Sequence, residues 1–550
     1  MENKNYVETY NRDRNVIDFN ESRGSLAFGD SSTKDDELAV NLEAEEKVTP
    51  FVVFLTLAAA VSGMLFGLDT GIISGALVEM DDAFETELTD TYKELITSAT
   101  TLGALISSLT AGIVADIIGR RLALAGADVF FTVGAIVQAC AQGVWTMIAG
   151  RFILGLGVGW ASCVAPLYIS ELSPTRLRGR LVTVNAVFLT FGQVIAYAIG
   201  AAFANVDDGW RYMVGICAVP SGLQFIALHW LPESPRFLLS RGKDDGAIKV
   251  LSRIYPYINQ EDMKAKLYVL KQGVKESLEI SKRVPLYKRI GKMFTEPVIL
   301  KVTIIAAGLQ AFQQLSGFNT LMYYSATLFA QIGFDQPTAT GLIVSGTNFL
   351  GTLFALKYID VIGRRRIMLI SAPMLVVSLT FASVCFHFLT IETGGQFVDG
   401  HNYPKVWSAL VLVAIVLYVL FYAVGLGNVP WQQGELFTLE YRGIGTSLAT
   451  ASNWSCNLLI SLTYLSLINK ITASGAFGFY AGLCFLGTLF VIFCYPDLTK
   501  LSLEEVQDVF SGNSFKDARR RAEVMRKSKS EVLYRLHEKE GGLTPDHPDE

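Results

Sequence analysis

The sequence predicts an all-α polytopic membrane protein, with about twelve transmembrane helices in two pseudo-symmetric six-helix halves. Three observations carry that prediction. First, the 550 residues are 51% hydrophobic and only 18% charged, against about 25% charged in an ordinary soluble domain. Second, most charges fall within 1–50, 232–297 and 496–550. What remains is apolar runs of about twenty residues, each long enough as a helix to cross a hydrocarbon core of roughly 30 Å. Third, two short motifs recur at matching places in the two halves.

Spans are expected near 51–76, 94–115, 122–142, 146–169, 181–203, 211–231, 298–322, 339–359, 366–388, 406–430, 444–468 and 476–495. The first six form an N-terminal half, 51–231, and the last six a C-terminal half, 298–495. Residues 1–50 are polar and acidic, too poor in apolar content for a core, and are expected to be a disordered tail. Segment 232–297 is too charged to enter a bilayer. Its apolar residues, such as Ile248, Leu251 and Ile254, sit at helical spacing, which predicts short amphipathic helices on the membrane surface. Residues 496–550 form a C-terminal tail that continues as a helix through Leu503, Val506 and Val509.

Basic residues set the orientation. Loops on one side carry Arg120 and Arg121, the Arg176–Arg180 cluster, Lys357 with Arg364–Arg366, and Arg442; the other side holds isolated bases such as Lys93 and Lys405. The positive-inside rule then places both termini in the cytosol. The net charge of −5 offers no footprint for nucleic acid. All seven Cys fall in apolar spans without CxxC or Cys/His spacing, so neither a metal nor a disulfide framework is expected.

The repeated motifs are charged loops. Asp116-Ile-Ile-Gly-Arg120-Arg121 follows the second span, and Asp360-Val-Ile-Gly-Arg364-Arg365 follows the eighth. Glu171, with Arg178 seven residues on, follows the fourth span, as Glu435 with Arg442 follows the tenth. Arg178 and Arg442 are placed to reach Glu171 and Glu435, and Arg120 or Arg121 to reach Asp116 or a neighbouring helix. Such pairs would latch helix ends when closed and let the halves part when hydrated. Arginine at a cytosolic helix end also serves orientation and solvation alone.

Polar residues inside spans are expensive and point to function. Asp69 sits deep in the first span and must be paired, hydrated or protonated; Arg151 in the fourth span is the available cation. Asp128, in the third, is the other intramembrane acid, suited to a proton relay or to hydrogen bonding between helices. Neutral amides offer both a donor and an acceptor, which suits a polyol's hydroxyls, and aromatic rings suit its apolar face. Gln313, Gln314 and Asn319 on the seventh span supply these, with Asn348 on the eighth, Trp431 on the tenth, and Asn453, Trp454 and Asn457 on the eleventh. Any single buried amide also serves as helix–helix glue. Tyr323 and Tyr324 are placed to cap the outer side of such a site.

The Gly-Arg-Arg loops, Gly150-Arg151, Pro232-Glu-Ser-Pro-Arg236 and Gln313-Gln314 ahead of Asn319 resemble the sugar porters of the major facilitator superfamily. Within that family, Gly427-Asn-Val-Pro-Trp-Gln-Gln433 and the exit Pro496-Asp-Leu-Thr-Lys500 resemble fungal myo-inositol/proton symporters. The resemblance implies a major facilitator fold and transport by alternating access, in which the halves rock about a midplane site. It places Gln193 and the amide and tryptophan set above at sugar-binding positions. It implies that Asp69 is the proton acceptor and Arg151 the partner that drives proton release, the bland alternative being a permanent structural pair. Hexose carriers have a Gln seven residues before Gln193; here that residue is Ala186, which leans toward a cyclitol. The Trp431–Glu435 spacing is one residue shorter than is usual in the family.

The expected function is proton-coupled uptake of myo-inositol or a related polyol, without a cofactor and without enzymatic activity, across the plasma membrane. Passive facilitation of a hexose, and a sugar receptor that binds without transporting, are the competing readings.

Overall fold

The computed structural model describes residues 49–80, 83–84, 88–174, 177–398, 401–438, 440–498, 508–512 and 514–539. The tail expected over 1–50 thus lies almost wholly outside the described residues, as do Leu503 and Val506.

The first half is α1 (Pro50–Glu79), α2 (Asp90–Ile118), α3 (Arg120–Ala139), α4 (Val144–Leu172), α5 (Arg178–Phe203) and the pair α6 (Gly209–Gly215) and α7 (Ala218–Leu228). Thr49 starts the first helix by accepting a 3.2 Å bond from the Val52 amide, with Pro50 at the first helical position, where its missing N–H costs nothing. The second half is α12 (Pro297–Leu315), α13 (Phe318–Gln331), α14 (Pro337–Ile362), α15 (Arg364–Leu389), α16 (Lys405–Val424), a 3₁₀ turn (Val429–Glu435), α17 (Arg442–Ser461) and α18 (Tyr464–Cys494). Between the halves run α8 (Pro235–Ser240), α9 (Asp244–Ile254), α10 (Gln260–Arg283) and α11 (Leu286–Thr295), and α19 (Phe515–Lys539) follows the last span. The face that carries α8–α11 is the linker face below.

Among the described residues, eleven membrane helices, counting α6–α7, α12–α13 and α16 with its 3₁₀ turn as one each, are long and apolar enough to cross a bilayer. The twelfth crossing is α17, which falls short on apolarity because Thr446, Ser447, Thr450, Ser452, Asn453 and Asn457 lie along it.

Four spans depart from the continuous helices expected of them, the sixth by its interruption between Gly215 and Ala218. The seventh breaks at Ser316–Gly317, where Gly317 adopts φ +85°, and resumes as α13. The tenth ends as α-helix at Val424 and continues as the 3₁₀ turn. The eleventh stops at Ser461, and Thr472 at φ +70° interrupts the helix that follows. Hydropathy registers composition, not a broken hydrogen-bond ladder, so these breaks leave no mark in it.

Helix α1 packs most closely on α5. A Cβ at Gly67 would fall 1.9 Å from the Leu189 carbonyl oxygen, and one at Gly192 would fall 2.3 Å from that of Met64. Glycine on both helices is what lets the two backbones touch. Under the first half, Val250, Leu251, Ile254 and Tyr255 of the linker bury themselves against Val52, Leu55, Leu124, Tyr168 and Leu231.

The repeated loops have repeated geometry. Gly119 and Gly363 both adopt positive φ, +99° and +94°, in the tight turns before Arg120 and Arg364. The second arginine of each loop then holds the exit of its own half. Arg121 donates to the Leu231 carbonyl at 3.1 Å, while Arg365 donates to those of Ile492, at 3.1 Å, and Tyr495.

Candidate substrate cavity and buried ion pair

A cavity opens between the halves. Its lining includes Phe66, Gln193, Gln313, Gln314, Asn319, Asn348 and Trp431, and it extends toward the linker face past Ala186, Thr352 and Asn428. The structure therefore brings together residues of the first, fifth, seventh, eighth and tenth spans. Trp431 reaches the lining from the 3₁₀ turn, despite the shortened spacing to Glu435.

The amides sort into two roles. Gln313 donates to the carbonyls of Leu426 (3.0 Å) and Gly427 (2.9 Å), and Gln310 donates to that of Pro430 (3.1 Å). These carbonyls lie where the α-helix of the tenth span has given way, so the glutamines satisfy backbone groups that the break frees. Asn453 ties the set together: it donates to Gln310 Oε1 at 2.6 Å and Gln313 Oε1 at 2.8 Å, and accepts from Gln314 at 3.1 Å. Asn319 donates to Gln314 Oε1 at 2.8 Å. Asn453 is thus an organiser behind the wall.

Across the cavity, Asn348 donates to Gln193 Oε1 at 2.7 Å, a bond between the two halves. That leaves the Gln193 amide nitrogen and the Asn348 carbonyl oxygen for a ligand. Trp454 and Asn457 are buried rather than lining. The Trp454 ring sits 5.4 Å from that of Phe66, and Asn457 donates to the Tyr323 hydroxyl at 3.2 Å. The Trp454 indole nitrogen and Asn457 Oδ1 are buried without hydrogen-bond partners. Phe318 and Tyr422 stack at 3.8 Å in the lining. Sequence reasoning did not assign these two, nor Phe66, Thr190 or Thr352, to the site, because an aromatic or a hydroxyl in a span carries no signal of its own; Asn428 entered it only as part of the Gly427–Gln433 motif.

Asp69 and Arg151 form an ion pair, with side chains only 5% and 2% exposed. Arg151 also donates to the Ile96 carbonyl at 3.3 Å, and Thr100 donates to the Arg151 carbonyl at 3.2 Å, which anchors the pair to α2. Phe66, one turn before Asp69 on α1, puts the pair one helical turn from the cavity. Asp128 is buried, and its Oδ2 has no hydrogen-bond partner.

On the linker face, the guanidinium of Arg120 reaches Glu171 of the neighbouring α4, at 3.1 Å. Arg120 also pairs with Asp116 at 3.0 Å, and the Ser234 hydroxyl donates to Glu171. The physical reason is the turn at Gly119, which swings Arg120 back over the end of α4. Glu233 in turn accepts from the backbone amides of Arg120 (3.0 Å) and Arg121 (3.2 Å), capping α3. Burial pushes the Glu233 carboxyl above its usual range, against the pull of those amides. Arg178, Arg364 and Arg442 all engage partners, while the side chains of Asp360 and Glu435 lie outside the described residues.

A family model described as "Sugar (and other) transporter" matches residues 55–510. The chain belongs to that family. It is similar to myo-inositol transporter 1 of Cryptococcus neoformans, 54% identical over 475 residues covering 86% of this chain and 84% of the relative. It is similar to myo-inositol transporter 1 of Saccharomyces cerevisiae, 42% identical over 515 residues covering 92% and 86%. Among solved structures it resembles XylE of E. coli, a proton:xylose symporter of the major facilitator superfamily, bound to 6-bromo-6-deoxy-D-glucose. There the TM-score is 0.70 at 26% identity, covering 84% of this chain and 99% of that one. This sugar transporter is accordingly a multi-pass membrane protein with the twelve-span fold of the major facilitator superfamily, and its relatives are transporters, not enzymes.

Proposed function

We propose that this chain carries myo-inositol, or a closely related polyol, into the cell together with a proton. The observation that carries the reading is the Asp69–Arg151 pair, buried one turn from a cavity lined by amides and aromatic rings. An acid so placed shifts charge at the same place where a polyol docks. With Asp69 ionised, Arg151 holds α1 against α4 and α2. With Asp69 protonated, the attraction to Arg151 is gone and α1 is free to shift. Because Gly67 and Gly192 put α1 in direct contact with α5, a shift of α1 moves Gln193, and Phe66 moves with it.

The polyol's hydroxyls meet Gln193, Asn348, Asn319 and Gln314, and its apolar face meets Trp431 and Phe66. Ala186 lines the cavity with a methyl group where a hexose site would place an amide, which supports a cyclitol over glucose. Arg120 with Asp116 and Glu171 braces the linker ends of α2–α4, and Arg178, Arg364 and Arg442, with Asp360 and Glu435, make up the cytosolic gate. This reading puts the linker face and both termini in the cytosol, in keeping with the distribution of basic residues, and the protein in the plasma membrane.

The test is uptake of labelled myo-inositol and labelled glucose into transporter-deficient cells at acidic and neutral external pH, for wild type and Asp69→Asn. Inositol uptake that is stimulated by acid, and collapsed both by a protonophore and by Asp69→Asn, is the expected outcome. Uptake indifferent to pH and to the substitution would remove the proton. Preference for glucose would remove the cyclitol.

A further inference from the structure

One stripe of α2 stands outside the function just described. Asp90, Glu94 and Thr101 are spaced i, i+4 and i+11 and share a face, and each bonds to the other half of the molecule. Glu94 Oε1 accepts from the Ser466 backbone amide at 2.8 Å and its Oε2 accepts from the Ser466 hydroxyl, also at 2.8 Å. Asp90 accepts from the Asn469 side-chain amide at 2.6 Å, and the Thr101 and Ser461 hydroxyls lie 3.4 Å apart. Ser466 is the third residue of α18, so its amide is one of the first-turn donors that the helix itself cannot satisfy. A carboxylate there completes the helix start and meets the positive end of its dipole. In most helices the N-cap side chain of the same helix does this; here the acceptor comes from the opposite half, 372 residues away.

Glu94 is only 4% exposed. A buried carboxyl stripped of two acceptor bonds, facing a helix start stripped of its cap, is costly on both sides. Two further contacts lie beside the stripe. The Ser74 and Ser325 hydroxyls meet at 3.2 Å between α1 and α13, and Tyr197 of α5 donates to the Met322 carbonyl at 2.6 Å. All of these lie toward the face opposite the linker, and together they shut the cavity there.

We infer that Glu94 is the clasp of this outer gate: its carboxylate caps α18 of the other half when the gate is shut, and releases it when the gate opens. Outward opening then breaks two bonds at one residue, and resealing re-forms them, so Glu94 biases the protein toward the state that is closed outside. It touches neither substrate nor the Asp69–Arg151 pair and acts as a positioning residue for the transport cycle. That the opposite face is external rests on the orientation given above.

The test uses the full chain in membranes with Ser325→Cys as a reporter, since this position is buried while the gate is shut. Its reaction with an impermeant maleimide is followed in sealed cells and in inverted vesicles, without substrate, against a background of the wild-type chain. Adding Glu94→Ala is expected to speed labelling about tenfold or more, as loss of bonds to a charged group implies. Glu94→Gln, which keeps an acceptor for the Ser466 amide, is expected to stay close to the reporter alone, and Ser466→Ala, which removes one bond of the two, to fall between. In uptake, Glu94→Ala lowers turnover and lowers the external KM together, whereas a purely structural defect would lower the amount of active carrier at constant KM. Equal labelling rates for Glu94→Ala and the reporter alone, in protein that folds and reaches the membrane, would overturn the clasp. Faster labelling from either side supports it, and which side reacts reports on orientation alone. Because no substrate is present, the identity of the transported molecule does not enter the result.

Discussion

The two ends of α2 do opposite work. At the linker end, Asp116 and the adjoining Arg120 belong to an ion-pair cluster with Glu171, whose members all sit in the same half. At the other end, Asp90 and Glu94 bond to Asn469 and Ser466 of the second half. The first arrangement holds a half together and need not break during a rocking motion. The second joins the halves and must break whenever the face opposite the linker opens. Charged residues at helix ends therefore divide by where their partner lies, and that division is what alternating access requires of them.

The sharpest way to break the comparison is at the buried pair. Arg151→Ala leaves Asp69 buried without its cation, and a loss of about 3–5 kcal/mol of stability is expected, read as a drop in thermal unfolding temperature in detergent. Unchanged melting would mean that Asp69 is already neutral in this state. Next comes Gly119→Ala, where positive φ and a Cβ placed 2.4 Å from Glu233 Oε2 coincide; about 1–3 kcal/mol of backbone strain is expected, with reduced folded yield. Arg120→Ala should cost about 1–3 kcal/mol through Glu171, left buried with less than its full set of partners. The Ser325→Cys labelling rate should stay at its reference value in that variant. Should Arg120→Ala instead speed labelling as Glu94→Ala does, the separation between brace and clasp fails. The smallest effect belongs to Asp90→Asn: its bond to Asn469 is exposed, so a change of roughly 1 kcal/mol or less in gate equilibrium is expected, visible as a modest increase in labelling.

The same contrast runs through the candidate substrate cavity. Gln313, Gln314, Asn453 and Asn457 were all readable as amides inside spans, yet the chain uses them differently. Gln313 and Asn453 are spent largely on carbonyls and amides of their own half, whereas Gln193 and Asn348 meet across the cavity and keep one atom each for a ligand. Composition alone assigns all of them the same chemistry. Their separation follows from the breaks in the seventh and tenth spans, which create the unpaired carbonyls that some of the glutamines must serve.

What the sequence by itself determined is what depends on local order. Span number and approximate limits follow from apolar length, the two-half repeat from the Gly-Arg-Arg loops, and the pairing of Asp69 with Arg151 from the cost of burying either charge alone. What only the tertiary structure decided is which partner each polar group found. Arg120 reached Glu171 of a neighbouring helix because one glycine turn directed it there, and Glu94, at the very edge of a span, found the start of a helix in the other half. A contact across 372 residues leaves no periodicity in the chain, since its geometry exists only once twelve helices have packed.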